Sequence, residues 1–122
     1  MSRAAASVLA FGVYLLVLGI GLLLVPNTLL ALFGQPPTRE PWLHVVGLVV
    51  LVLGLYYLGA AREEVTAFFR WTLVGRPLAL VVLIVLVAAG SAPAFVLILG
   101  AIDAVSAAWT WRALEIDRRR GP

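Results

Sequence analysis

The chain has 122 residues, 63% of them hydrophobic and only 12% charged, about half the roughly 25% of a globular domain. Its mean hydropathy is +1.08 and its formal charge +3, carried by nine arginines and no lysine against six acids. So small a chain cannot hide this much apolar surface from water, which excludes a soluble globule; the absence of cysteine excludes disulfides, thiolate metal sites and thiol relays, and a single histidine excludes a bis-histidine haem or a His-rich zinc site, so neither metal nor cofactor is expected.

A helix needs about 20 apolar residues to cross a hydrocarbon core of roughly 30 Å. Residues 4–25 satisfy this with no internal charge. Arg3 precedes the run as in a signal peptide, but the stretch is too long and no small-x-small cleavage site follows, so it is expected to be retained. The loop from Pro26 to Pro41 then predicts a short helix, capped by Asn27 or Thr28, running through Leu29, Leu30, Leu32 and Phe33 and ending at Gly34. Such an apolar piece lies flat at the membrane interface or covers the mouth of the bundle. Pro36, Pro37 and Pro41 stiffen the approach to a second span at residues 43–61.

Arg62-Glu63-Glu64 closes that span, and Glu63 or Glu64 suits the N-terminus of the next helix through its dipole. From Pro77 to Ile102 no residue is charged; Gly90-Ser91-Ala92-Pro93 breaks this run into two spans joined by a tight hairpin. Leu78 to Ala89 alone would reach only about 18 Å. The third span must therefore extend back to Trp71, giving residues 71–89, with Pro77 inside the helix and Arg76 below the membrane surface. The fourth span covers residues 94–112, and residues 113–122 form a basic tail. Trp42, Trp71, Trp109 and Trp111 lie at span ends, where indoles anchor to the interface.

These elements predict one all-α integral membrane domain over residues 1–122, a four-transmembrane-helix bundle with a short interfacial helix in its first external loop. Arg3, Arg62, Arg70, Arg76, Arg112, Arg118, Arg119 and Arg120 fall on one side and only Arg39 on the other. The positive-inside rule places the eight, and both termini, in the cytoplasm. The bilayer is the obligatory partner; nucleic acid is not expected.

Glycines repeat at equal spacing: Gly12 and Gly19 in the first span, Gly47 and Gly54 in the second. Leu-x-Leu-Gly also appears at Leu51 to Gly54 and at Leu97 to Gly100. Close helix contact explains this spacing better than internal duplication, because small residues let membrane helices approach. Gly100, Ala104 and Ala108 form a similar stripe, leaving a homo-oligomer face open.

The chemistry rests on polar residues inside the spans. Asp103 sits near the centre of the fourth span, where an aspartate costs about 2.5–3.5 kcal/mol on insertion scales and usually marks function. Tyr14 lies at similar depth. Tyr56, Tyr57, Arg76 and Ser106 form a second layer nearer the cytoplasm, with Thr72 just beyond, and the hairpin register sets Arg76 opposite Ala107. Side chains tilt toward their own helix N-terminus, so Arg76 and Asp103 lean apart. Three arrangements stay open: Arg76 snorkels to the surface, pairs with Asp103 directly, or is bridged to it. Glu40 and His44, four residues apart near the outer boundary, are candidates of their own, with too few ligands for a metal.

The Gly-rich first span ending at Pro26, the loop Leu32-Phe33-Gly34-Gln35-Pro36-Pro37, and Gly47 with Gly54-Leu55-Tyr56-Tyr57 form one part of a wider pattern. The stretch from Phe68 to Arg76 and Gly100-Ala101-Ile102-Asp103 complete it. Over most of its length the chain resembles the small four-helix bacterial membrane families of the DoxX and BphX-like kind. That resemblance implies a fold and a bacterial cytoplasmic (inner) membrane location, and no reaction. Small multidrug exporters carry a membrane glutamate in their first helix and dual-topology fluoride channels a Gly-rich, Arg-containing motif there; the first span here has neither.

Three functions follow. The first is binding or transport of a small amphipathic or lipid-like molecule between Asp103, Arg76, Tyr14, Tyr56, Tyr57 and Ser106. The second is a structural or accessory subunit, in which these residues only fix packing and Asp103→Asn is tolerated. The third is an intramembrane enzyme using Asp103 with Tyr14 or Ser106.

Overall fold

The computed structural model describes residues 1–120; residues 121–122 of the expected tail lie outside the described residues. Among the described residues every regular element is a helix: α1 Arg3–Leu24, α2 Pro26–Leu32, α3 Trp42–Arg62, α4 Thr66–Ala88 and α5 Val96–Arg120. The four long helices are each long and apolar enough to cross a membrane. Between 11% and 33% of the most apolar stretch of each is buried within the protein. Most of their hydrocarbon therefore faces outward, the reverse of a water-soluble bundle. This is the all-α class with four spans expected of a four-transmembrane-helix bundle.

Three boundaries differ from expectation. The short helix α2 starts at Pro26, with Val25 as an N-cap that offers no side-chain bond. Proline fits the first helical position because its missing N–H would be unsatisfied there anyway. Asn27 is thereby released, and its Oδ1 accepts the Thr38 N–H at 2.9 Å. Helix α4 begins at Thr66, a turn before Trp71, and carries Pro77 in its interior as expected. Helix α5 runs on through the expected tail to Arg120. An Arg118–Glu115 pair at 2.8 Å and three arginines in its last turn favour this extension, the latter by opposing the helix dipole.

The described residues fall into two compact units: Leu9–Gly59, and Met1–Val8 together with residues from Ala60 onward. In the Leu9–Gly59 unit, α1 and α3 run antiparallel and meet at the spaced glycines. A Cβ added to Gly19 would stand 2.9 Å from the Gly47 carbonyl oxygen, and one on Gly54 would stand 3.1 Å from that of Gly12. The shared seven-residue spacing, about two turns, lets both glycine pairs register at once. The spacing is a packing device.

In the other unit α4 folds back on α5 through the Gly90 turn. Gly90 has φ +76°, and the Ser91 N–H donates to the Leu86 carbonyl at 2.8 Å, closing α4 in a Schellman arrangement. Gly100 lies against Leu80, whose Cδ1 would be 2.9 Å from an added Cβ. Gly34, at φ +71°, closes α2 in the same way, with the Gln35 N–H on the Leu30 carbonyl at 2.8 Å.

Candidate functional site

The site begins with a stripe on α4. Phe69, Thr72 and Arg76 recur at helical spacing and are its buried residues. Arg76 is 3% exposed, so it does not snorkel to the surface. Its side chain follows the backward tilt of a helical residue toward Thr72, one turn earlier. Nε donates to the Thr72 carbonyl at 3.4 Å and Nη2 to the Thr72 hydroxyl at 2.7 Å. Across to α5, Nη1 donates to Ser106 Oγ at 3.2 Å and Nη2 to Thr110 Oγ1 at 3.0 Å. Ser106 and Thr110 bracket Ala107, the level at which the hairpin register sets Arg76.

Each hydroxyl is anchored in turn. Thr72 donates to the Phe69 carbonyl at 2.7 Å, and Ser106 donates to the Asp103 carbonyl at 2.8 Å. Thr110 lies 2.8 Å from Ser7 Oγ on α1 and 3.1 Å from the Ser106 carbonyl, and Ser7 lies 2.7 Å from the Ala4 carbonyl. Ser7 and Thr110 are fully buried. One arginine and four hydroxyls thus tie the first turns of α1 to α4 and α5. A buried charge is tolerated only when its donors are satisfied, and the Thr72, Ser106 and Thr110 hydroxyls with the Thr72 carbonyl supply the oxygens. Asp103, half-buried, joins the cluster through its backbone carbonyl.

The same unit gathers the free end of α1. The first amides of a helix lack partners within it. Here Asp117 of α5 accepts from Arg3 and Ala4, at 3.4 and 3.0 Å. The Ser2 hydroxyl accepts from Ala5 and the Ser2 carbonyl from Ala6, both at 3.0 Å. The Ser2 N–H donates to Glu64 Oε2 at 2.8 Å. Glu64 therefore serves the N-terminus of α1, correcting the expectation that it would serve α4. Its backbone explains why: Glu64 has φ +54° and the Val65 N–H donates to the Ala60 carbonyl at 2.9 Å. Glutamate occupies the left-handed cap position that glycine fills at Gly34 and Gly90, at a cost of about 1–2 kcal/mol.

Ser2 holds the Glu64 carboxyl below the usual range, through its hydroxyl first and its backbone N–H second. A depressed acid contributes stability above its unfolded pKa and loses it as pH falls through the folded value. The Ser2 amide resonance is expected to titrate at a pH below that of an ordinary glutamate, and Glu64→Gln to remove that step.

Beside this junction is a cleft of about 460 Å³. Phe69 and Leu73 of α4 with Trp111 and Leu114 of α5 give it apolar walls, while Glu64, Arg70, Asp117 and Arg118 charge its rim. Phe69 belongs to both structures: it lies at the cleft, only 1% exposed, and its carbonyl receives the Thr72 hydroxyl.

The remaining candidates lie in the Leu9–Gly59 unit. The Phe11 ring meets those of Tyr14 and Tyr57 in tilted contacts, with centroids 5.6 and 5.2 Å away. Tyr57 is buried, while Tyr56 is 63% exposed and turns outward. His44 is exposed, and its Nδ1 lies 2.6 Å from the Leu23 carbonyl at the end of α1. A carbonyl only accepts, so Nδ1 carries the proton. Glu40 lines a separate groove of about 340 Å³ with Trp42 and Leu30. Among the described residues no three His, Asp or Glu side chains gather to hold a metal ion.

Of the sequence candidates, Arg76, Ser106 and Asp103 come together on α4 and α5; Tyr14 and Tyr57 form an aromatic group in the other unit. Ser7, Thr110 and Asp117 were missed. Thr110 was legible, being four residues from Ser106 and seven from Asp103 on one face of α5. Ser7 gave no comparable signal, since nothing in the sequence pairs α1 with α5. Comparison with protein families, curated proteins and solved structures finds no match to the chain. The fold and the exposed apolar helices define a class, a multi-pass α-helical membrane protein.

Proposed function

We propose that this is a multi-pass protein of a bacterial cytoplasmic membrane, with both termini in the cytoplasm, that binds or carries a small amphipathic or lipid-like molecule. The observation behind this is the cleft beside the α1 N-terminus. Its volume of about 460 Å³ lies within the roughly 300–1,000 Å³ of small-molecule sites. Apolar walls and a charged rim suit a hydrocarbon body with a polar head. The eight-to-one arginine bias supports the orientation, and the DoxX-like and BphX-like resemblance supports the bacterial membrane. On this reading the Arg76 cluster is not the ligand contact. It fixes the α4–α5 register, on which the walls depend.

Native mass spectrometry in mild detergent tests the proposal. A small molecule is expected to stay bound to the wild type and to be lost from Trp111→Ala. The second reading, a structural or accessory subunit, draws on the Arg76 N–H groups being directed at the chain's own oxygens. It expects no small molecule in either protein, a specific oligomer or co-purified partner in the wild type, and no change in Asp103→Asn. An enzyme reading has less support, because the Ser106 hydroxyl proton is committed to the Asp103 carbonyl.

A further inference from the structure

The groove in the Leu9–Gly59 unit has a chemistry of its own. It is formed where α2, the following loop and the first turns of α3 meet, and it encloses about 340 Å³. Leu30 from α2, Pro36 from the loop, and Leu43 and Val46 from α3 give it an apolar floor. Glu40 and Trp42 line it too, and Glu40 is the one ionisable residue in the lining. Trp42 is 69% exposed, so its indole is open to a ligand. Among the described residues, no hydrogen bond or ion pair engages the Glu40 carboxylate. His44, one turn further on, is turned to the Leu23 carbonyl and leaves the groove lining to Glu40.

The loop is built rather than slack. Asn27 holds the Thr38 N–H at 2.9 Å, Thr38 Oγ1 holds the Glu40 N–H at 3.2 Å, and Gln35 is tied back to Leu30 at 2.8 Å. Pro36, Pro37 and Pro41 fix their own backbone angles. The backbone that carries Glu40 and Trp42 is thus fixed before any ligand arrives, which lowers the ordering cost of binding.

We propose that this groove binds an amphipathic monocation: an organic ammonium whose charge lies against the Glu40 carboxylate and the Trp42 ring face, with its hydrocarbon part on Leu30, Leu43 and Val46. The lining carries one negative charge and no positive one, so an anion is disfavoured. A calcium or magnesium ion needs about six oxygen ligands or more, and one carboxylate cannot supply them. An aromatic face beside a carboxylate suits a weakly hydrated organic cation instead. The site belongs to the Leu9–Gly59 unit and does not depend on the cleft proposed above.

The test is ligand-observed saturation-transfer NMR with the full chain in uncharged maltoside micelles. Octyltrimethylammonium is compared with octanoate and octanol, which share its chain and differ in charge. Saturable transfer is expected for octyltrimethylammonium alone. Glu40→Gln is expected to weaken it about tenfold, as loss of a charge-assisted contact does, and Trp42→Leu about threefold. Equal affinity for octanol or octanoate, or a Glu40→Gln affinity within a factor of two of wild type, overturns the proposal. Arg39→Gln supplies an independent arm. Removing the neighbouring positive charge is expected to tighten octyltrimethylammonium about twofold, and unchanged or weaker binding counts against the assignment even if Glu40→Gln fails to fold.

Discussion

Gly47→Leu is expected to prevent α1 and α3 from docking, and Gly47→Ala to destabilise the protein by about 1–3 kcal/mol or more. The first atom of any side chain at this position meets backbone. An added Cβ would contact the Leu23 amide nitrogen and stand 2.8 Å from the Leu22 carbonyl carbon and 2.9 Å from the Gly19 oxygen. Side chains can change rotamer to relieve overlap; a helix backbone must move as a body. Gly19→Ala meets the same obstacle from the other side, with Leu51 N at 2.5 Å and Leu51 Cα at 2.7 Å. The two are neighbours across one contact, so the double variant is expected to cost less than the sum of the singles. Gly59→Ala and Gly75→Ala are the controls. Among the described residues nothing lies within 4 Å of a Cβ at either position. Both are expected to be neutral or to stabilise by up to about 1 kcal/mol through helix propensity. Denaturation in micelles followed by circular dichroism separates the groups; equal behaviour of Gly47→Ala and Gly59→Ala would remove the glycine contact as the basis of this unit.

The glycine contact shows which kind of information the sequence carries well. Apolar runs, their lengths and the breaks at Gly34 and Gly90 are local properties, and the helices follow them closely. Gly12, Gly19, Gly47 and Gly54 encode their contact as a spacing, readable because both helices use the same one. Arg76 was legible as a residue in the wrong solvent, and Ser106 and Thr72 as its neighbours in depth. What was not legible depends on which helix faces which. Ser7 looks like any serine in an apolar run until α1 lies beside Thr110. Asp117 reads as part of a charged tail until its carboxylate is found on the amides of Arg3 and Ala4. Nearness in sequence points Glu64 to α4, but its left-handed backbone places it at Ser2. Tyr56 and Tyr57 share a depth, yet adjacent residues on a helix point about 100° apart, and burial and exposure divide them accordingly.

Thr110→Val is expected to destabilise the protein by about 1–3 kcal/mol, more than Arg76→Met at the guanidinium itself. The contrast follows from what each substitution leaves behind. Valine keeps the shape of threonine but removes the oxygen that accepts from Arg76 Nη2 at 3.0 Å and lies 2.8 Å from Ser7. The guanidinium stays buried and charged with one acceptor fewer, and an under-satisfied charged donor is the costly case. Arg76→Met removes charge and donors together. Thr72, Ser106 and the Thr110–Ser7 pair can then still donate to their own helix carbonyls, so no buried polar group is stranded. In membranes, interhelical hydrogen bonds average about 0.6 kcal/mol and reach about 1.7, which keeps the Thr110 effect at a few kcal/mol at most. The double variant Arg76→Met/Thr110→Val is expected to be more stable than Thr110→Val alone, because Arg76→Met removes the charge that Thr110→Val leaves under-satisfied. A double-mutant cycle read by denaturation in micelles measures this coupling directly, with Thr110→Ser as the variant that keeps the hydroxyl. Additive effects would mean that the guanidinium does not depend on Thr110, and the network would lose its place as the lock between α1, α4 and α5. Coupled effects with small-molecule retention intact in Arg76→Met would confine the arginine to packing, and loss of retention in that well-folded variant would bring the buried charge back into the ligand site.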